Sequence, residues 1–408
     1  MLAMAQPMKN LFSHAFPLHT LNRDLKILFV SNLFASFGDG LTIYLLPLFI
    51  RNLNATPENV GFLYSVLMVA SATTIIPGGF LADRYDLKKI MIIGWAVWVP
   101  VPILFAFATD WTQLIPAMFF YGVLFSGPAS SAYIVGRAQE DKMASTFSTL
   151  AAAWGLGYMF APTVAGYLTG NAGVQWVFIL TAFFYFVTTV MLTLISSQHT
   201  KTRELDKATP TAKKTGLFRR RKIVYLSVLF GSVMFLLSLV FPLVPQFLTD
   251  VYGYDVAYIG VLGSFTYFGG AVFSIVWGKL GDKYGKTAPI SVAMALVALA
   301  LGIFISVGDP FVLMLASFLR GASFPMWAFI GATVGAVAPP NSRASWISVV
   351  QTVAQTVSIL APYVGGVLYA VTPTTPFVIA VGASLTLVVL AQVRPFRERS
   401  SELFCEKC

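Results

Sequence analysis

The feature that most constrains this chain is a series of twelve long apolar stretches. They lie near 25–50, 59–81, 88–108, 112–136, 145–169, 175–196, 223–248, 257–278, 288–307, 311–337, 344–371 and 376–394. About 20 such residues let an α-helix cross roughly 30 Å of hydrocarbon. The stretches lack the two-residue alternation of barrel strands, and backbone in lipid must satisfy its own polar groups, so each is expected to be a helix. Only 11% of residues are charged and 57% are apolar, where soluble proteins carry roughly a quarter charged residues. With a mean hydropathy of +0.76, the chain is expected to be an all-α, twelve-helix membrane protein.

An even number of helices puts both ends on one side. All 27 Lys and Arg except Arg51 and Arg320 fall on that side, while Glu58, Asp110, Asp250, Asp255 and Asp309 fall on the other. The positive-inside rule then places both termini in the cytoplasm of a multi-pass plasma-membrane protein. The net charge of +10, including the run RRRK at 219–222, reads as attraction to anionic lipid, not nucleic acid. Residues 1–24 contain Lys9, His14, His19 and Arg23 without a continuous apolar core, and read as a cytoplasmic N-terminus. The tail 395–408 ends in CEKC, and with no further cysteine Cys405 and Cys408 read as free thiols. No P-loop or metal-ligand cluster is present, so neither an enzyme nor a cofactor is expected. The chain reads as a monomer.

The charged turn GGFLADRYDLKK (78–89) has an echo, GKLGDKYGKT (278–287), about 200 residues on. At the same offset Pro47 falls on Pro245, Gly61 on Gly260, and Ala161-Pro162 on Ala361-Pro362. Matches in this order indicate a duplicated six-helix unit. The expected layout is a bundle at 25–197, a polar linker at 198–222 and a second bundle at 223–394.

This doubled turn resembles the signature of major facilitator transporters, which pair two six-helix bundles about an axis along the membrane normal. One departure is Asp86, where the family commonly has Gly. The resemblance implies a secondary transporter that works by alternating access, with helices 1, 4, 7 and 10 lining a central cavity. Gly79, Asp83, Arg84 and Lys88, with Gly278, Asp282 and Lys283, are the expected gating residues. Gly79 and Gly278 would let helices approach closely. Asp83 would face the start of helix 11 at Asn341, Ser342 and Arg343, and Asp282 the start of helix 5 near Lys142 and Ser145, each meeting a positive helix end.

Two ionisable residues remain deep within helices: Asp39 in helix 1 and Arg320 in helix 10. A charge at such depth costs about 2.5–3.5 kcal/mol on insertion scales, which makes function the default expectation. Asp39 shares a helix face with Asn32 and Ser36. A carboxylate removed from water is suited to load and release a proton, whereas Arg320 always needs an anion. Either the two form a structural ion pair between the bundles, or proton binding at Asp39 frees Arg320 for a substrate. Arg320, Asn32, Ser36, Tyr121, Trp327, Gln351 and Gln355 are the expected substrate contacts. Trp95, Trp98, Trp154, Tyr158 and Trp346 are further aromatic candidates.

Helix 5 reads GLGYMFAPTVAG (155–166), similar to a loose form of the family's antiporter motif. The drug-exporter arginine of helix 4 is absent, since Met118 holds its place. The expected function is proton-coupled export of a small amphipathic or anionic organic molecule. Proton-linked uptake of organic anions is the alternative, and a non-transporting receptor on a transporter fold is the reading from another class.

Overall fold

The computed structural model describes residues 21–139, 142–199, 216–284, 288–326, 329–330, 333–334 and 343–392. Twelve helical segments carry the fold. The first bundle holds α1 (Arg23–Asn52), α2 (Pro57–Arg84), α3 (Leu87–Phe107), α4 (Trp111–Arg137), α5 (Met143–Ala172) and α6 (Val174–Thr193). The second holds α7 (Ile223–Tyr252), α8 (Val256–Tyr284), α9 (Ala288–Ser306) and α10 (Pro310–Ser323). It ends with α11 (Arg343–Ser358 and Ala361–Val371) and α12 (Thr375–Gln392). Among the described residues, ten segments are long and apolar enough to span a membrane, and α5 and α10 complete the set. In α5 the apolar character is diluted by Gly, Ala, Ser and Thr, the residues that let helices approach each other in lipid.

Several helices break where the sequence reads as continuous. The interruptions fall at 44–45, ahead of Pro47, and at 241–242, which contains Pro242 and precedes Pro245. Proline lacks an N–H and clashes with the preceding turn, so these sites are natural breaks. The helix leading into α7 already starts at Gly216, inside the stretch expected to be linker. Thr56 caps α2 and Asp309 caps α10, each side chain accepting from first-turn amides.

The packing follows a two-fold plan. α5 packs most heavily on α8 and α1, α1 on α6, and α2 on α11. Shifting each pair by six helices gives α11 on α2, α7 on α11 and α7 on α12, all of which are also formed. Within a bundle the strongest partner of the first helix is thus the fifth, while α5–α8 and α2–α11 join the bundles.

The two ends of this seam differ. We call the end carrying the 78–89 and 278–287 turns the motif end. At the opposite end, Cβ atoms at Gly61 and Gly166 would collide with backbone of α11 and α8, and at Gly260 and Gly366 with backbone of α5 and α2. At the motif end, a Cβ on Gly79 or Gly278 would meet nothing within 4 Å. Among the described residues, Arg320–Tyr44, Thr163–Ser264 and Arg51–Asp250 join the bundles midway or at the far end. These contacts, with the four glycine approaches, close the cleft at the far end.

The first bundle carries a polar staple at its motif end. Tyr133 donates to Asp24 (3.0 Å) and to the Ser196 carbonyl (2.9 Å), and Arg137 sits 3.5 Å from Asp24. Asp86 caps α3 by accepting from the Lys88 amide at 2.9 Å, and also accepts from the Gln198 amide at 3.3 Å. Burial by itself would push the Asp86 carboxyl up. Hydrogen bonds from Ser197, Gln198 and Lys88, with nearby His199, outweigh it and hold the group below its ordinary 3.8. A depressed carboxyl stabilises the fold above its unfolded value, and that stabilisation is lost as pH falls through the folded one. Asp86→Asn is therefore expected to lower the melting temperature at neutral pH by a few degrees. It should also remove part of the fall in melting temperature expected below about pH 4, checked by thermal melts across pH.

Candidate functional site

Asp39 lies near the middle of α1 and is only 5% exposed. Its Oδ1 accepts from the hydroxyls of Tyr121 on α4 and Tyr185 on α6, the latter at 2.8 Å, and its Oδ2 accepts from Tyr158 on α5. The flanking glycines make this cage possible. A Cβ on Gly40 would stand 2.8 Å from Ala161 Cβ and 3.1 Å from Tyr158 Cδ1, and one on Gly38 would stand 2.8 Å from Phe184 Cβ. An ionised carboxylate only accepts hydrogen bonds, so three phenol donors satisfy it without a cation.

Arg320 closes the regular part of α10 and is 7% exposed. It donates to the Tyr44 hydroxyl and to Thr266, both at 3.4 Å, and lies over the Tyr44 ring at 5.8 Å. Its Nε has no partner among the described residues. Asp39 and Arg320 form no ion pair. An aromatic layer separates them: Tyr158 stacks on Tyr267 of α8 (4.9 Å, 24°), and Tyr267 meets Tyr44 edge-on (6.4 Å, 71°). Phe324 packs edge-on against both Tyr158 and Tyr267. In place of the direct pairing weighed from sequence, phenols of its own bundle occupy the carboxylate, and Arg320 is left with neutral hydroxyl partners and an unpartnered Nε among the described residues.

Beside the cage lies a cavity of about 200 Å³ between α1, α3, α4 and α5. Its walls include Asn32, Trp95, Trp98, Trp154, Ser126 and Ser130, and among the described residues no ionisable side chain lines it. Trp98 connects it to Asp39: its ring lies 5.6 Å from Tyr121 and 5.7 Å from Tyr185, both donors to the carboxylate. The Trp98 indole N–H is fixed on the Val123 carbonyl at 2.9 Å.

The other expected residues are placed as follows. Ser36 is fully buried and donates to Leu33 and Ala153 carbonyls, tying α1 to α5 rather than facing the cavity. Tyr121 belongs to the carboxylate cage. Gln351 and Gln355 are half-buried on α11. Trp327, Asn341, Ser342 and both tail cysteines lie outside the described residues, as do the side chains of Asp282 and Arg343. Lys88 donates to the Thr193 carbonyl at 2.7 Å within its own bundle, and Lys283 lies over the Tyr284 ring. Asp83 and Arg84 are exposed at the end of α2. Among the described residues, nothing lies within 4 Å of a Cβ on Gly79 or Gly278, whereas close helix contacts form at Gly61, Gly166, Gly260 and Gly366.

Sequence inspection missed Tyr44, Tyr185, Thr266 and Tyr267. The available signal was a phenol in the middle of an apolar helix, since a buried hydroxyl needs a partner.

Two six-helix bundles related by a six-helix shift, closed at one end over a buried charge cluster, define a secondary membrane transporter. The chain belongs to the Major Facilitator Superfamily, whose sequence profile matches residues 28–244 and 233–404. It is 27% identical over 316 residues to the multi-drug resistance efflux pump PmrA of Streptococcus pneumoniae, covering 73% of this chain and 77% of that one. It is 24% identical over 388 residues to a ribitol transporter of Klebsiella pneumoniae, covering 84% and 85%. The crystal structure of the nucleoside transporter NupG superposes with a TM-score of 0.75 at 14% identity, covering 91% of this chain and 100% of that one.

Proposed function

We propose that this transporter exports a small amphipathic organic molecule in exchange for protons, by alternating access. The observation that carries this reading is a buried carboxylate placed one aromatic layer behind an indole-walled cavity that has no ionisable lining among the described residues. Asp39 is the proton site. The positive-inside pattern puts the motif end in the cytoplasm, so the closed far end faces outward, the arrangement of a state that loads from inside the cell. The likeness to a named efflux pump supports the outward direction. The bundle boundaries at 25–197 and 223–394 and a plasma-membrane location belong to the same proposal.

The second reading is proton-linked uptake of an organic anion. It rests on Arg320, whose guanidinium is buried without a carboxylate partner among the described residues.

Transport into everted vesicles separates the two. A panel of neutral aromatics, hydrophobic amines and carboxylates is offered under an imposed pH gradient. Accumulation of an aromatic or amine solute, reduced about tenfold or more by Trp95→Ala or Trp154→Ala, supports export through the indole cavity; a tenfold loss corresponds to about 1.4 kcal/mol. Transport confined to carboxylates, untouched by these changes and lost in Arg320→Ala, overturns it.

A further inference from the structure

We propose that Tyr158 is the positioning residue that carries the protonation state of Asp39 to the contact between the two bundles. This rests on the reading of Asp39 as the proton site.

The three phenols are not equivalent. Oδ1 accepts from both Tyr121 and Tyr185, whereas Oδ2 accepts from Tyr158 alone. Each carboxylate oxygen offers two lone-pair directions, so Oδ1 is filled and Oδ2 keeps one open. An incoming proton therefore adds to Oδ2. The proton takes the open lone pair, so Oδ2 keeps the one that Tyr158 donates to, but a neutral hydroxyl oxygen is a weaker acceptor than a carboxylate oxygen. The charge-assisted bond from Tyr158 therefore weakens, and its phenol is released to turn. Tyr121 and Tyr185 keep their acceptor on Oδ1 throughout.

The location of Tyr158 gives that turn a consequence. Tyr121 and Tyr185 pack against Trp98 within the first bundle. Tyr158 alone of the three stacks on the second bundle, on Tyr267, with Phe324 edge-on to both rings. Its helix also supplies Pro162 and Gly166 to the close backbone contact with α8. A change at Oδ2 thus reaches the seam through the contacts of the Tyr158 ring with Tyr267 and Phe324. The other polar groups facing this site are Tyr44 on α1, Tyr64 on α2, Tyr267 on α8 and Arg320 on α10. Asp39 is the one carboxyl among these groups, so it is the group placed to take up a proton and lose its charge.

The test uses the full chain in nanodiscs, with Cys405 and Cys408 replaced by serine and spin labels at Lys89→Cys and Lys279→Cys. These positions sit at the motif ends of the two bundles and report opening as a distance distribution. In the parent protein the open fraction is expected to follow a one-proton pH profile. Tyr158→Phe retains the ring and removes the hydroxyl, and is expected to flatten that profile about tenfold or more in closed-to-open ratio. Tyr121→Phe and Tyr185→Phe are expected to move its midpoint and keep its amplitude. Tyr267→Leu, which breaks the stack and leaves the Asp39 hydrogen bonds in place, should flatten it as Tyr158→Phe does.

Asp39→Asn separates the two levels of failure. If Asp39→Asn abolishes the pH response and both Tyr158→Phe and Tyr267→Leu keep it in full, the role of Tyr158 is overturned and the proton site stands. If Asp39→Asn keeps the response, the proton site itself is overturned.

Discussion

Asp39→Asn is expected to abolish gradient-driven accumulation of substrate, by about a hundredfold or more, while downhill exchange continues. An asparagine amide is neutral at every pH and brings two N–H donors to a cage built from three phenol donors. The phenols must rearrange around a group that binds no proton, so the link between the pH gradient and the cycle is cut and the route through the bundles remains. Asp39→Glu is expected to damage stability more than function alone would require. The added methylene enters a site where α1, α5 and α6 already touch at Gly38 and Gly40, and overpacking of this kind costs about 1–3 kcal/mol. Reconstituted vesicles with and without a pH gradient supply the measurement. Accumulation by Asp39→Asn that still follows the gradient would falsify the assignment of Asp39 as the proton site.

The second large effect is expected at the far-end seal. A Cβ at Gly61 would come 2.7 Å from the Pro362 carbonyl carbon, and one at Gly260 would come 3.0 Å from Gly166 Cα. These neighbours are backbone, so no side-chain rotation relieves the contact. Gly61→Ala and Gly260→Ala each strain the closed seam by about 1–3 kcal/mol, and the double variant by roughly the sum if the sites act independently. Shifting a two-state equilibrium from 1:99 to 99:1 takes about 5.5 kcal/mol, so the double variant is expected to favour the state that opens at the far end. Accessibility of cysteines placed along α7 and α11 near that end would rise in the double variant and fall at the motif end. The Arg51–Asp250 pair beside the seal is about one-third exposed at 3.6 Å, and exposed pairs contribute about 0–1 kcal/mol. Arg51→Gln should therefore change the balance far less than either glycine. An unchanged accessibility pattern in the double variant would show that the glycine contacts do not hold the seal.

Most of the fold was legible in the sequence because hydrocarbon permits few solutions. Apolar run lengths located the helices, and Gly61 and Gly260 at matching places announced the two-fold plan. The helix breaks were only half legible: Pro47 and Pro245 announce them, but the residue at which each helix breaks depends on packing. The site was partly legible. Asp39 and Arg320 stood out through the energetic cost of their depth, whereas their partners did not. Tyr158, Tyr185 and Tyr267 come from three separate helices, and nothing local in the chain says that they converge. Asp86 looked like a departure from the family turn, and its role as cap of α3 and anchor for Gln198 emerges only when the end of α6 folds back beside it. The gating glycines Gly79 and Gly278 were read as close-approach sites, and among the described residues such contacts form instead at Gly61, Gly166, Gly260 and Gly366, because which glycines touch depends on how the bundles are tilted.

The separation of Asp39 from Arg320 has a kinetic consequence. Every donor to the carboxylate rides in the same bundle as Asp39, so the bundles part without stranding that ion in lipid. What must be undone at the seam is mainly aromatic contact and backbone touching backbone, with the Arg320–Tyr44 and Thr163–Ser264 hydrogen bonds and the exposed Arg51–Asp250 pair. The apolar contacts are short-ranged and blind to dissolved ions, unlike the exposed pair. Turnover should therefore depend only weakly on salt concentration, through Arg51–Asp250, and the apolar part of the seam should give way abruptly once the surfaces have separated by a fraction of an atomic diameter.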